Sequence, residues 1–247
     1  MMEHFSPTKQ GFSGLGKRLE SAFRKALYDY SMLEENKIAI ALSGGKDSLC
    51  MMKLLKAISG KGFEELEIHA IFINGEYTCG ASVFVDGLKK ECEELGVIFH
   101  TEYQEQKKET LSCYPCSRKR RSLLFQKAKE LGIKTIAFGH HRDDLIETLF
   151  LNLCHKAEFS ALMPKIFMRE YGVTIIRPLV YISEDEIIRF AKQQGFYRIT
   201  CQCPFGQKSK RKEVKNLLIE MEKVFPNIRK NLAQAAKEYG SKKPLTP

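Results

Sequence analysis

The 247-residue sequence predicts an α/β fold: a doubly wound, mostly parallel sheet of five strands with an N-terminal helix and a C-terminal helical segment. Three observations predict it. Short apolar, β-branched runs alternate with amphipathic stretches, the pattern of strands covered by helices on both faces. Hydrophobic residues make up 43% and charged residues 28%. That balance is globular, and a chain of this length buries roughly 70–75% of its unfolded surface without covalent staples. No run approaches the roughly 20 apolar residues of a membrane span, and the opening MMEHFSPTKQGFSG lacks the apolar centre of a secretory leader. Collagenous, membrane-spanning, disordered and disulfide-stapled secreted classes are excluded, and a cytoplasmic protein with no membrane partner is expected.

The elements follow in chain order. A helix is expected near residues 15–33, before the first strand at Lys37-Ile-Ala-Ile-Ala-Leu42. Further strands are expected at Glu67–Ile73, Val97–Tyr103, Thr135–Phe138 and Val173–Arg177, each a β-branched run of four to eight residues. Helical patterns lie between them near 47–59, 83–95, 116–131 and 141–155, and later near 183–195, 208–223 and 227–239. Ligands of such sheets bind at the carboxyl ends of the strands, near the point where strand order reverses.

The first strand runs into Ser43-Gly44-Gly45-Lys46-Asp47-Ser48, and a helical pattern follows at once. Strand, glycine-rich turn and helix start make an anion site, because glycines let backbone N–H groups approach phosphate oxygens. Ser43 and Ser48 add hydroxyls and Lys46 a cation. Asp47 beside a phosphate implies a divalent cation between them, Mg²⁺. A near-match to the Walker loop, Gly11-x-x-x-x-Gly16-Lys17, is a decoy: Arg18 stands where Ser or Thr must bind Mg²⁺, and no strand precedes it.

The fourth strand runs into Gly139-His140-His141-Arg142-Asp143-Asp144, followed by Glu147-Thr148, on the same expected rim. Asp143 and Asp144 read either as helix caps or as carboxylates near Mg²⁺. His140 and His141 read as a polar lining or a base.

Eight cysteines in a reducing compartment point away from disulfides. Cys113-Tyr-Pro-Cys116 opens a basic helix and has the spacing of one metal or cluster, with a third thiol expected from Cys201-Gln-Cys203-Pro204. Three thiolates suit an iron–sulfur cluster with one open position, or zinc with a fourth ligand, and ligand softness does not choose between them. Cys50, Cys79, Cys92 and Cys154 read as packing residues. The net charge of +10 is uneven. Residues 113–130 carry six basic residues against one acid, and residues 201–247 carry eleven against four, so the rest of the chain is slightly acidic. Concentrated basic charge points to a nucleic-acid partner. Ser209-Lys-Arg-Lys212 and Arg229-Lys230 are expected on phosphates, with Tyr114, Tyr197 and Phe205 as candidate stacking residues.

Ser43–Ser48 resembles the SGGxDS motif of the PP-loop (N-type) ATP pyrophosphatase superfamily, whose members share a Rossmann-like sheet and cut ATP between the α and β phosphates. The block GHHRDD-x-x-ET is similar to that of its tRNA-modifying members. C-x-x-C followed by Ser117-Arg-Lys-Arg-Arg121, then GHHRDD, then a late cysteine before a basic helix, resembles the tRNA 2-thiocytidine synthetase family over about residues 15–235. One departure is the late pattern C-x-C-P-F-G, where the family commonly has C-x-x-C and Gly. The resemblance implies a [4Fe-4S] cluster on Cys113, Cys116 and Cys203, with Cys201 as the alternative third ligand. It implies ATP and Mg²⁺ on Ser43, Gly44, Gly45, Lys46, Asp47, Ser48, His140 and Asp143, with Asp47, Asp144 and Arg120 catalytic. The implied reaction adenylates the C2 oxygen of a tRNA pyrimidine, cytidine 32, and replaces it with sulfur delivered by a cysteine desulfurase; a homodimer is also implied. The expected organisation is an N-terminal helical segment, 1–33, a PP-loop ATPase domain, 34–200, and a basic helical segment, 201–247. The alternatives are a 2-thiouridine or tRNA-lysidine synthetase of the same superfamily, and a zinc-stabilised RNA-binding module without catalysis.

Overall fold

The computed structural model describes residue 12 and residues 14–75, 84–105, 113–196 and 210–240, with the backbone alone for 113 and 114. The expected strands are β1 (Lys37–Leu42), β2 (Glu67–Asn74), β3 (Ile98–Tyr103), β4 (Thr135–Ala137) and β6 (Val173–Ile176). The helices are α1 (Leu15–Asp29), α2 (Lys46–Ile58), α3 (Val85–Glu94), α4 (Cys113–Glu130), α5 (Arg142–Lys156), α6 (Glu184–Gln193), α7 (Lys210–Val224) and α8 (Ile228–Tyr239). One further strand, β5 (Lys165–Met168), pairs antiparallel with β6 at the sheet edge, while all other pairings are parallel. Four residues with half-exposed side chains carry no clear periodicity, so β5 left no signal in the sequence.

Strand order is β3-β2-β1-β4-β6-β5. The chain moves outward from β1 to β3, then returns to build β4 on the other side of β1. The order therefore reverses between β1 and β4, and ligands are expected at the crevice beyond their carboxyl ends.

Both sheet faces are covered, which is why the central strands read as unbroken apolar runs. On one face Ile38, Ile40 and Leu42 of β1 and Ile68, Ala70 and Phe72 of β2 pack with Phe23 and Leu27 of α1, Met52 and Leu55 of α2, and Phe190 of α6. On the other, Ala39, Ile71, Ile73 and Ile136 meet Leu124, Phe125 and Ala128 of α4. The N-terminal helix thus shares the main core. The end of the Walker-like decoy, Gly16 and Lys17, falls in the first turn of α1, with Gly16 buried against Phe12, and its first glycine, Gly11, lies outside the described residues. Cys50 and Cys92 are core residues as expected, whereas Cys154 is exposed on α5 rather than buried in the core; Cys79 lies outside the described residues.

Candidate active site

The site begins where β1 ends. Gly44 turns the chain with φ of +76°, a conformation that disfavours a side chain, and α2 starts two residues later. Ser43 and Ser48 brace the turn. Their hydroxyls lie 3.1 Å apart, the Ser43 hydroxyl accepts from the Gly45 N–H at 3.3 Å, and Ser48 donates to the Gly45 carbonyl at 3.0 Å. The amino end of α2 then faces a cavity of about 530 Å³ lined by Ser43, Asp47 and Ser48 from the loop, Ile73 from β2, Arg120 and Arg121 from α4, and His140 and Asp144 from the β4–α5 junction. The reversal point of the strand order therefore joins all three motif regions.

Gly139 makes that junction close. A Cβ there would lie 3.0 Å from the Ser48 backbone nitrogen and 3.1 Å from the Asp47 carbonyl carbon. Only hydrogen at this position lets the end of β4 touch the first turn of α2 without displacing backbone. The close approach brings His141 between two carboxylates, its Nε2 lying 3.8 Å from Asp47 Oδ1 and 3.4 Å from Asp144 Oδ2.

The two acids differ in what they hold. Lys46 donates to Asp47 Oδ2 at 3.2 Å and lies 3.0 Å from Oδ1 as an ion pair, yet Oδ1 is buried without a hydrogen bond among the described residues. An orphaned carboxylate oxygen beside an anion loop is the donor that a divalent cation requires. Asp144 closes a capping box, accepting from the His141 backbone N–H at 3.0 Å, while its Oδ1 accepts from Arg211 Nη1 at 3.1 Å. The capping and active-site readings of Asp144 are thus compatible. Asp143 does not line the cavity. It is 5% exposed, and its oxygens accept from the Glu184 N–H at 2.8 Å and Arg229 Nη1 at 3.0 Å. It ties α5 to α6 and α8.

His140 stacks on Phe138 with ring centroids 5.7 Å apart and accepts from Arg177 Nε at Nδ1. Burial, reinforced by the Arg177 charge, pushes its pKa down to about 3. It is a neutral imidazole whose remaining proton sits on Nε2, a donor rather than a base. Glu147 is pushed up to about 7 by burial and by the neighbouring Asp144 charge. Burial disfavours the Lys46 ammonium, but Asp47 and Glu184 outweigh it and hold its pKa up.

Arg120 is braced by a bond from Nη2 to the Ile73 carbonyl, 3.1 Å, one turn beyond Cys116 on α4. Cys116 is half-buried beside Gln104, whose amide lies 3.9 Å from its sulfur. Cys113 opens the same helix, and its side chain lies outside the described residues, as do Cys201 and Cys203, Tyr197 and Phe205, and the Tyr114 side chain. Among the described residues no three His, Cys, Asp or Glu form a metal group. Two arginines expected on phosphates are used internally instead. Arg211 bonds Asp144 and Thr148, and Arg229 spans Asp143 and Glu222. Charge runs cannot distinguish these from solvated cations, because Asp144, Thr148 and Asp143 lie more than 60 residues away. Arg177 and Glu184 were not singled out from the sequence, Arg211 was expected on phosphates rather than on Asp144, and Gly139 was read only as part of the block before the histidines.

Residues 15–220 match the family model of the PP-loop domain. The tRNA-cytidine(32) 2-sulfurtransferase of Bordetella avium (strain 197N) is 36% identical over 231 residues, covering 90% of this chain and 72% of that protein. The protein of the same name from Geobacter metallireducens is 32% identical over 230 residues, with 89% and 88% covered. The solved U34-tRNA thiolase NcsA from Methanococcus maripaludis, with its [4Fe-4S] cluster, superimposes with a TM-score of 0.75 at 24% identity, over 94% of this chain and 81% of that one, a likeness of fold. On the span of the domain match and the extent of these identities, the chain belongs to the PP-loop family and, within it, to the tRNA-cytidine(32) 2-sulfurtransferases.

Proposed function

We propose that the chain is an ATP-dependent tRNA 2-thiolating transferase acting on cytidine 32. The C2 oxygen attacks the α-phosphorus of ATP and pyrophosphate leaves. Sulfur then displaces the adenylated oxygen, and AMP is the second product. The observation that carries this reading is the single cavity joining the phosphate loop to the arginines that follow Cys113 and Cys116.

Each step has its residues. Phosphates meet the amino end of α2, where backbone N–H groups, the Ser43 and Ser48 hydroxyls and Lys46 supply donors and positive charge. The orphaned Asp47 Oδ1 fits Mg²⁺, with Asp144 alongside. His140, neutral and with Nε2–H available, donates to the bound nucleotide. Arg120, already braced by Ile73, offers its guanidinium to the charge that develops as pyrophosphate departs. Cys113, Cys116 and Cys203 would hold the [4Fe-4S] group, with Cys201 as alternative, and the soft donor set suits it. With three thiolates as its ligands the group would keep one position open, the chemistry needed to accept sulfur. A cysteine desulfurase as sulfur source and a homodimer rest on family membership, and a cytoplasmic setting and a division into segments 1–33, 34–200 and 201–247 rest on the sequence pattern. Among the described residues, no helix is long and apolar enough to cross a membrane.

Anaerobic purification with iron and sulfide analysis, followed by incubation with ATP, Mg²⁺, a sulfide source and tRNA transcript, tests the reading. Nucleoside analysis should show ATP-dependent 2-thiocytidine. A colourless protein with stoichiometric zinc that leaves tRNA unchanged would overturn it in favour of the non-catalytic alternative.

A further inference from the structure

The first turn of α5 faces two cavities. Gly139, His140 and Asp144 line the central one, whereas Arg142 and Leu145 line a second of about 430 Å³ that lies beneath α8. Residues two apart on a helix point to opposite sides, so the two cavities flank one helical turn. Nothing in the reaction described above uses the second cavity or Arg142.

The lining of the second cavity has a definite chemistry. Its walls are mainly apolar, from Leu145, Met163 and Val180, and Tyr181 lines it beside them. Four cations reach it, Arg142, Lys165, Lys230 and Lys237, and none of its lining residues is acidic. Lys165 and Lys237 have acidic neighbours outside the cavity, Glu34 and Asp29. Arg142 is different: its Nε is buried and has no hydrogen-bond partner among the described residues, although its charge acts on Glu186. A buried guanidinium N–H without an acceptor is costly. Apolar walls lined by cations, with the acids that balance them outside the cavity, match a flat body bearing an anion, and the volume is within the range of small-ligand sites.

We propose that this cavity seats an unstacked nucleotide of the substrate RNA strand next to the target, its phosphate on Arg142 and Lys230 and its base against the apolar wall. The inference rests on the tRNA reading. The RNA strand is favoured over a free nucleotide by continuity. The cavity lies one helical turn from the site of adenylation, and its cover, α8, belongs to the basic C-terminal segment. A target base in a single-stranded loop must be splayed out, and its neighbour is unstacked with it.

Three variants test this in the anaerobically purified full-length protein: Arg142→Gln removes the anion ligand, Ala233→Phe fills the cavity from α8, and Arg142→Lys restores charge. The readouts are anisotropy of a labelled tRNA transcript over a salt series, and KM for ATP in the thiolation assay. Arg142→Gln and Ala233→Phe should each weaken tRNA binding at least about tenfold. Arg142→Gln should also lower the slope of log affinity against log salt by about one phosphate. KM for ATP should be unchanged, and Arg142→Lys should recover part of the affinity. If Arg142→Gln fails to fold, Ala233→Phe carries the test. Wild-type affinity and salt slope in both variants would overturn the proposal. So would cytidine 5′-monophosphate binding that is lost in Arg142→Gln while tRNA binding is retained, since the site would then serve a free nucleotide. Wild-type protein that binds no tRNA would overturn the thiolation reading itself, a failure visible before any variant is made.

Discussion

Residues of the same type play opposite parts here according to their surroundings. Burial pushes the Cys50 thiol up, and the Cys92 thiol up to about 12, so both stay protonated and cannot serve as ligands. Cys92→Ala should leave iron and sulfide content unchanged, while Cys116→Ala should lose both; colorimetric iron and sulfide assays on anaerobic protein check the contrast. Glu147 gives a second residue-level expectation. Its folded pKa, about 7, lies above its ordinary value of 4.5, so the native state holds an extra proton between the two. Stability then declines as pH rises through that window. The penalty is complete above about pH 7 and absent below the ordinary value. Glu147→Gln should therefore raise the melting temperature over wild type at about pH 8, and the gain should vanish near pH 4.5, as followed by thermal unfolding in a pH series.

Elements are joined by these same residues. The α7–α8 pair is pinned to α5 by two arginine–aspartate contacts on adjacent acids, Arg211 to Asp144 and Arg229 to Asp143. The Asp143–Arg229 contact is almost fully buried, and without Asp143 the guanidinium keeps only Glu222. Asp143→Ala should cost about 1.5–3 kcal/mol in urea unfolding, the loss of a hydrogen bond to a charged group. It also releases the Glu184 N–H that begins α6. Asp144→Asn should keep more stability and lose ATP turnover, because Asp144 lines the central cavity and Asp143 does not. Measuring stability and pyrophosphate release on both variants separates the strut from the site residue.

The whole molecule carries +10, but the charge available to a partner is smaller than the basic runs imply. Arg229 is turned inward and Arg211 is paired with Asp144, whereas Arg118, Lys119 and Lys212 remain at or near the surface. Affinity for tRNA should fall steeply with salt, through release of counterions from the phosphates the protein neutralises. Arg118→Ala and Lys119→Ala together should lower the slope of log affinity against log salt by up to about 2. Arg229→Ala should leave the slope unaltered and lower the stability instead. Binding curves over a salt series, paired with unfolding curves, distinguish the two classes of cation.

How much of this was legible follows from the range of each interaction. Strand and helix identity, the phosphate loop and the GHHRDD rim were readable because β-branched runs, glycine turns and amphipathic periods are local, whereas the strand order and its reversal point are set by pairing between distant segments. The short edge strand β5 was not readable, since four half-exposed residues carry no period and its order comes from pairing with β6. The separate fates of Asp143 and Asp144 were not readable either. They are neighbours in sequence, but a helix points them in different directions, one toward Arg229 and the other toward the cavity. The contact at Gly139, the neutral His140 and the buried Arg142 Nε likewise depend on groups far along the chain. Composition and spacing identify the chemistry a chain can carry; which acid, which arginine and which histidine carry it depends on packing, because burial and distant partners set charge and direction.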